Sequence, residues 1–302
     1  MYDIIIVGAG PAGISAGIYA VSRGCSTLVL EQSAVGGIIG GVSSVTHYAG
    51  IVDGETGPTF ACRLRSQAAK AGVEIAFERV TGALLASDIK TVVTDQGIYE
   101  TANVILANGS TPRALDVPGE AELAGIGCGL NAVRDGERFR DRNVYVVGGA
   151  DGAVKEALYL AKLAKRVTIV CVEDELACID EFRRKVARTP SIEVRAASGL
   201  GALRGTERVE ELDLISLSDG SVKTVVDPGC GVFVYAGSTP NTALYADQLQ
   251  LENGYIPVND RMETARTGVF AAGDIRVKQV RQVATAVSDG AVAAINAAAR
   301  RR

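Results

Sequence analysis

A short apolar run breaks into glycine within the first ten residues, and that junction constrains the fold more than any other feature of the chain. Residues 3–7 read as a buried strand, followed at once by Gly8-Ala9-Gly10-Pro11-Ala12-Gly13 and a helical pattern to about Arg23. The glycines fit G-x-G-x-x-G between a strand and a helix, the form that receives a dinucleotide. Gly8 permits the tight turn, Gly10 lets the backbone approach a pyrophosphate, and Gly13 lets helix and strand pack closely. The helix N-terminus then faces the anion. Glu31 ends the next strand, 18 residues after Gly13. A carboxylate there can bond two ribose hydroxyls and would repel a 2′-phosphate.

The pattern occurs twice. Residues 143–147 form a second apolar strand, followed by Gly148-Gly149-Ala150-Asp151-Gly152-Ala153 and a helix to about Ala164. Each unit runs on into another β-rich segment, at 26–30 and at 166–171. Strand–helix–strand units of this length imply right-handed crossovers and parallel sheets. Segments such as 91–93 and 104–107 alternate like strands. Stretches at 111–118 and 236–241 carry proline and read as hinges. The C-terminal part, residues 268–274 and an Ala-rich helix from about Gln282, returns to complete the first fold. The expected class is α/β, with two Rossmann-like dinucleotide-binding domains in three-layer ββα form, the second inserted in the first. The expected boundaries are 1–114 with 237–302 for the first domain and 115–236 for the second.

Composition narrows the function classes. Of 302 residues, 47% are hydrophobic and 22% charged, which is ordinary for a globular chain. A net charge of −4 gives no general pull toward nucleic acid or an anionic membrane, and the basic residues 300–302 read as a solvated terminus. No run of 18 apolar residues is present to span a bilayer. The initial apolar run is too short for a signal peptide, so cytoplasmic residence is the expectation. Six cysteines (Cys25, Cys62, Cys128, Cys171, Cys178, Cys230) are scattered without a C-x-x-C pair. They are expected to be reduced and mostly small buried hydrophobes, and no metal site is expected.

Further segments extend the pattern. Ala107-Asn108-Gly109 follows one strand, and Gly268-Val269-Phe270-Ala271-Ala272-Gly273-Asp274 ends another. Downstream stands Val280-Arg281-Gln282-Val283-Ala284-Thr285-Ala286. Glu55-Thr56-Gly57-Pro58, Glu156-Ala157-Leu158-Tyr159-Leu160 and Gly237-Ser238-Thr239-Pro240-Asn241-Thr242 complete the set. Together these resemble the low-molecular-weight thioredoxin reductases over essentially the whole chain. The resemblance implies FAD bound by Gly8, Gly10, Pro11, Ala12 and Gly13, with Glu31 and Gln32 beside them. It also implies cofactor contacts from Gly37, Ile38, His47 and Val80, and from Ala107, Asn108 and Gly109. The returning segment adds Gly273, Asp274, Arg281, Gln282 and Val283, with Asp274 on the ribityl chain and Arg281-Gln282 on the ribityl and ring.

The chain departs from that family in three places. Family members carry C-A-T-C-D-G, whose cysteines shuttle electrons between flavin and thioredoxin. Here Asn131 and Arg134 stand in their places before Asp135-Gly136, and only Cys128 remains nearby. One thiol makes no intrachain dithiol, so exchange by the family route needs a partner sulfur. Cys128 is then a bland loop cysteine or a redox centre, paired with a distant cysteine or acting as a sulfenic acid. In the second turn, Ala150 puts a methyl where the middle glycine would be, and Asp151 adds a negative charge. The family's H-R-R-x-x-x-R becomes Cys171-Val172-Glu173-Asp174-Glu175-Leu176-Ala177. Three carboxylates in place of three arginines disfavour NADPH. NADH needs only an acid at the strand's end; that position is Cys171, with Glu173 two residues later, so NADH stays open. Around the flavin, Ile38 replaces a glutamine and His47 an asparagine. His47, the only histidine, either relays a proton or substitutes for the amide's hydrogen bond.

The expected function is an FAD-dependent oxidoreductase working without the cysteine pair or the NADPH clamp. Electrons would arrive from a small redox protein, ferredoxin-like or thioredoxin-like, or from NADH. They would leave to a protein disulfide, a quinone-like acceptor or oxygen. Arg276, Lys278 and Arg281, with Arg183, Arg184, Lys185 and Arg188, are candidates for docking an acidic ferredoxin. The resemblance implies a homodimer. Two alternatives stand beside this reading: a non-enzymatic structural or sensory flavoprotein, and a different ligand in the second nucleotide site.

Overall fold

The computed structural model describes residues 1–300, so Arg301 and Arg302 of the basic tail lie outside the described residues. Arg300 itself pairs with Glu263 at 3.3 Å. The chain divides into two compact units. Met1–Gly41, Val45–Thr111 and the part from Thr239 onward form the first; Val42–Ser44 and Pro112–Ser238 form the second.

In chain order the first unit holds β1 (Tyr2–Val7), α1 (Pro11–Val21), β2 (Thr27–Leu30), α2 (Gly57–Ala71), β3 (Glu74–Ala76), β4 (Val80–Leu84), β5 (Lys90–Thr94) and β6 (Ile98–Leu106), and leaves through β7 (Ser110–Pro112). The second holds β8 (Cys128–Gly129), α3 (Ala132–Asp135), β9 (Asn143–Val147), α4 (Asp151–Leu160), β10 (Arg166–Val170), α5 (Asp180–Ala187), β11 (Ile192–Arg195), β12 (Ser198–Arg204), β13 (Val209–Ser216) and β14 (Val222–Val234). The chain returns through β15 (Ser238–Pro240) and completes the first unit with β16 (Val269–Ala271) and α6 (Val283–Ala298).

Both units use one plan, and the fold is the α/β class with two Rossmann-like sheets. The first sheet runs β3-β2-β1-β6-β5-β4, with β16 added on β6. Strands β1, β2, β3, β6 and β16 are mutually parallel, while β4, β5 and β6 form an antiparallel meander. The second sheet runs β11-β10-β9-β14-β13-β12, with β8 on β14, and repeats the mix. A parallel strand covered on both faces must be apolar throughout rather than alternating. That is why Ile4, Ile5 and Ile6 are all fully buried, and why Val144–Val147 resembles them.

The first core joins Val7, Leu28, Leu30, Val104, Leu106, Val269 and Ala271 from the strands with Tyr245 and Ile256 from the returning segment. Helix α6 packs on α1 at backbone range: a Cβ on Gly290 would lie 2.0 Å from the Ala12 carbonyl oxygen. The returning C-terminal segment therefore closes over the first glycine-rich turn. Among the described residues, no helix is long and apolar enough to cross a membrane.

Candidate functional site

Strand β1 has β2 on one side and β6 on the other, so the chain leaves it in opposite directions at this point. Ligands of open parallel sheets sit beyond the carboxyl ends of strands at such a switch. The turn after β1 lies there. Gly8 has φ +100°, and its N–H donates to the Leu30 carbonyl at 2.8 Å. A Cβ on Gly8 would be 2.6 Å from the Ala107 oxygen, and one on Gly13 would be 1.8 Å from the Gly8 oxygen. These two glycines are demanded by the protein's own packing. Gly10 is different: a Cβ there would meet only the Gly36 oxygen, at 4.0 Å. Pro11 opens α1 with Ala12 and Gly13 buried behind it.

Glu31 is buried beside this turn. One carboxylate oxygen accepts the Ala9 N–H at 2.8 Å and the other accepts the Ser33 N–H at 3.0 Å. Gln32 is exposed next to it. The Gly36 N–H donates to the Ala9 carbonyl, and Gly37, at φ +59°, approaches Gly10 closely enough that a Cβ would lie 3.5 Å from its Cα. Ile38 follows on a 3-10 turn with half its surface exposed. Val80 is half-buried at the start of β4.

The opposite wall comes from the end of β6. The Ala107 N–H donates to Val7, and Asn108 and Asn241 donate their side-chain amides to each other's carbonyls at 2.8 and 2.7 Å. Gly109 turns the chain at φ +61°. After β16, Gly273 has φ +80°, and a Cβ would lie 2.9 Å from the Ala12 Cβ. Its N–H donates to Asp289, which also accepts both Arg276 bonds, at 2.8 and 2.7 Å, and the Lys278 ammonium at 2.8 Å. Burial works to raise the Asp289 carboxyl, but bonds from Arg276 and Lys278 outweigh it and hold the group below its usual range.

Two buried polar atoms at this end have no protein partner: Asp274 Oδ1 and Arg281 Nε. Such groups cost roughly 1–3 kcal/mol when left unpaired. Burial raises the Asp274 pKa against the pull of Lys278 and Arg281. The Arg281 guanidinium is held over the Tyr255 ring, 4.1 Å from its centroid. Gln282 and Val283 start α6, where the Gln282 N–H donates to the Thr285 hydroxyl. An acceptor and a donor fixed and unsatisfied beside a glycine-rich turn fit a ligand carrying hydroxyl groups along an extended chain.

Sequence reasoning missed Asp289 and Tyr255. The signal for Asp289 was a single acid inside the Ala-rich run of α6. Its pairing corrects the docking expectation: the Lys278 side chain is 4% exposed and that of Arg276 17%, both bound to Asp289. They offer no charge to a partner. On α5, Arg184 and Lys185 pair with Asp180 and Glu181 of the same helix, and Arg183 donates to the Leu176 carbonyl.

His47 lies on an exposed stretch at φ +60°. Histidine and asparagine are among the few residues enriched in left-handed backbone, which accounts physically for one standing in for the other. In the second unit Cys128 is buried in β8, paired with Val232. Burial, with the Glu120 charge, pushes its thiol up to about 12, and burial pushes Cys230 to about 12 as well. The thiolate is the reactive form, so burial works against nucleophilic chemistry at both groups. None of the six cysteines is in a disulfide.

Where the resemblance would place the dithiol, the chain builds a cap. Asn131 Oδ1 accepts the Arg134 N–H at 3.0 Å, starting α3. One Asp135 oxygen accepts the Leu130 and Asn131 N–H groups, and the carboxylate takes two bonds from Arg134. The Arg134 bonds are the first cause of a lowered Asp135 pKa. The Tyr235 hydroxyl accepts the Ala132 N–H. Glu156, buried on α4, accepts the Ser43 N–H with one oxygen and has no partner for the other; burial raises its pKa.

The second glycine-rich turn repeats the first in backbone. Ala150 (φ −84°, ψ 172°) matches Gly10 (φ −70°, ψ −177°), and Gly148 has φ +133° as Gly8 has +100°. Asp151 is turned aside, its Oδ1 accepting the Ile179 N–H at 2.8 Å.

Residues 2–290 match the family model described as pyridine nucleotide-disulphide oxidoreductase. The chain is 38% identical to a thioredoxin reductase of Peptoclostridium acidaminophilum, over 98% of this chain and 96% of that one. It superposes on the thioredoxin reductase of Lactococcus lactis with a TM-score of 0.94 at 33% identity, covering 98% of each chain. A ferredoxin-flavin thioredoxin reductase of Clostridium acetobutylicum matches with a TM-score of 0.54 at 29% identity, over 99% of this chain and 97% of that one.

Proposed function

The chain belongs to the pyridine nucleotide-disulphide oxidoreductase family, in its low-molecular-weight thioredoxin reductase branch, and is a flavoprotein oxidoreductase of that type. On that premise we propose that it passes electrons directly between FAD and an external partner, with no internal dithiol between them. The observation that carries this reading is the cap at Asn131, Arg134 and Asp135, which fills the dithiol's place with satisfied hydrogen bonds.

The turn from Gly8 to Gly13 would hold the FAD pyrophosphate, with Gly10 open to it and Pro11 and Ala12 starting the helix behind it. Glu31 and Gln32 would hold the adenosine ribose. Gly37, Ile38, Val80 and the Ala107-Asn108-Gly109 turn would line the cleft. Gly273, Asp274, Arg281, Gln282 and Val283 would hold the ribityl and flavin end, where the two unpaired atoms await partners. When bound, FAD would supply two-electron redox chemistry.

The donor is NADH or a small redox protein. The second option draws on the likeness to a ferredoxin-flavin thioredoxin reductase. The acceptor is a protein disulfide, as on a thioredoxin-like protein, a quinone-like molecule or oxygen. Anaerobic photoreduction followed by a disulfide reagent, a naphthoquinone or air tests this. At least one is expected to reoxidise the flavin roughly tenfold faster than buffer. No acceleration by any of them would favour a flavoprotein without catalytic turnover.

His47 is carried forward as a proton relay to the reduced flavin. His47→Asn suits the left-handed backbone, so the variant is expected to fold normally. Flavin reoxidation should slow in that variant, and the shape of its pH–rate profile should change. An unchanged profile would leave His47 with a backbone role only.

A further inference from the structure

The two βαβ units can be aligned by strand register alone. Val7 pairs with Leu30 at the end of β1 and β2, and Val147 pairs with Val170 at the end of β9 and β10. The next residues, Glu31 and Cys171, are therefore equivalent. So are Ala9 and Gly149, the second residues of their turns. In the first unit the Glu31 carboxylate is fixed on Ala9, accepting its N–H at 2.8 Å. In the second unit Cys171 supplies no carboxylate, and its thiol is buried with a raised pKa from desolvation.

Glu173 fills that gap from two residues further on. A Cβ placed on Gly149 would lie 2.8 Å from the Cys171 Cβ and 3.1 Å from Glu173 Oε2. The Glu173 carboxylate thus reaches back to the same residue of its turn that Glu31 holds in the first unit. Gly149 is glycine because these two side chains leave no room for another.

We propose that the second glycine-rich turn binds an adenine dinucleotide with a free ribose 2′-hydroxyl, and that Glu173 reads that hydroxyl. The proposal rests on the reading of the chain as a two-nucleotide flavoprotein and names the coenzyme of the second site as NAD(H). A carboxylate beside the turn accepts hydrogen bonds from two vicinal hydroxyls and repels a 2′-phosphate. Asp174 and Glu175 stand next in the exposed loop and add to the repulsion. The guanidinium that engages this loop, Arg183, is held by the Leu176 and Cys178 carbonyls. Asp151, the acid closest to the turn in sequence, is bound to the Ile179 N–H, so its carboxylate is engaged away from the turn. The Ala150 methyl opposes binding, since its glycine counterpart leaves that approach open.

Equilibrium binding of NAD+ and NADP+ to the FAD-loaded protein, by calorimetry, tests this without turnover. NAD+ is expected to bind at least about tenfold more tightly than NADP+, the discrimination of one charge-assisted hydrogen bond. Glu173→Gln should weaken NAD+ binding about tenfold while FAD content stays unchanged, and Glu173→Arg should narrow or invert the preference. Ala150→Gly should strengthen NAD+ binding severalfold. Equal affinities in the wild type, no binding of either nucleotide, or a Glu173→Gln variant indistinguishable from wild type would each overturn the proposal. FAD counted per chain on the same sample separates the two readings. One FAD without NAD+ binding sinks only the coenzyme assignment, whereas no FAD sinks the flavoprotein reading beneath it.

Discussion

Gly13→Ala is expected to cost the protein most of its bound FAD and about 2–3 kcal/mol of stability. The added methyl would lie 1.8 Å from the Gly8 carbonyl oxygen, and that oxygen has nowhere to go. Gly8 is pinned in front by its N–H bond to Leu30 and behind by the Ala107 carbonyl, against which it is already packed at glycine range. Helix α1 must then lift off β1, and its far side is held by α6, where Gly290 meets Ala12 with the same lack of space. In melting temperature the loss corresponds to roughly 5–10 °C. Gly10→Ala is the informative companion. Its methyl has open space in the protein but faces the expected pyrophosphate, so this variant should melt like wild-type apoprotein and still hold at least about tenfold less FAD. Circular dichroism melts and acid-released FAD check both. A Gly13→Ala protein with full FAD and an unshifted melt would show that α1 and β1 are not locked as described.

Asp274→Ala should weaken FAD binding about tenfold to a hundredfold, the loss of one hydrogen bond to a charged, buried acceptor. In the apoprotein the same residue acts in the opposite direction. Desolvation is the main influence on Asp274 and raises its folded pKa above the unfolded value. Between those two values the folded state holds a proton that the unfolded chain releases. Apoprotein stability therefore falls as pH rises through that window and stays at the lower level above it. Asp274→Asn removes the ionisation, so the apo variant should melt at a higher temperature than wild type at pH 7 and lose this advantage at the acid end of the window. Apoprotein melts across pH, together with FAD titrations, would show both halves. A variant that binds FAD normally would place the ribityl end of the cofactor elsewhere.

Much of this was legible in the sequence because backbone geometry leaves few alternatives. Gly8 and Gly13 are glycine for reasons that can be argued from the turn alone, and the buried parallel strands announce themselves as unbroken apolar runs. Helix ends were less legible. Helix α4 ends at Leu160 rather than near Ala164, because Lys162 and Leu163 bond three residues back and the last turn tightens. The hub at Asp289 depends on the Lys278 and Arg276 side chains and the Gly273 N–H, eleven to sixteen residues away in sequence, folded back by the turn after β16. No local pattern specifies that pairing. Asn131 and Arg134 were readable as the absence of a cysteine pair. Their presence as a helix cap became visible only with Asp135 in place, although asparagine is a favoured cap residue. Glu173 shows the limit of register as a guide, since a long side chain can serve a position two residues away.

The most direct test of a flavin working without an internal dithiol is an anaerobic titration with dithionite. FAD takes up two electrons and a disulfide in equilibrium with it would take up two more. With none of the six cysteines in a disulfide and a cap in the dithiol's place, the flavin should bleach completely after about two electrons per FAD, in wild type and in Cys128→Ser alike. Uptake of about four electrons per FAD, with a lag before bleaching, would contradict it, because only a redox-active disulfide coupled to the flavin could hold the additional pair.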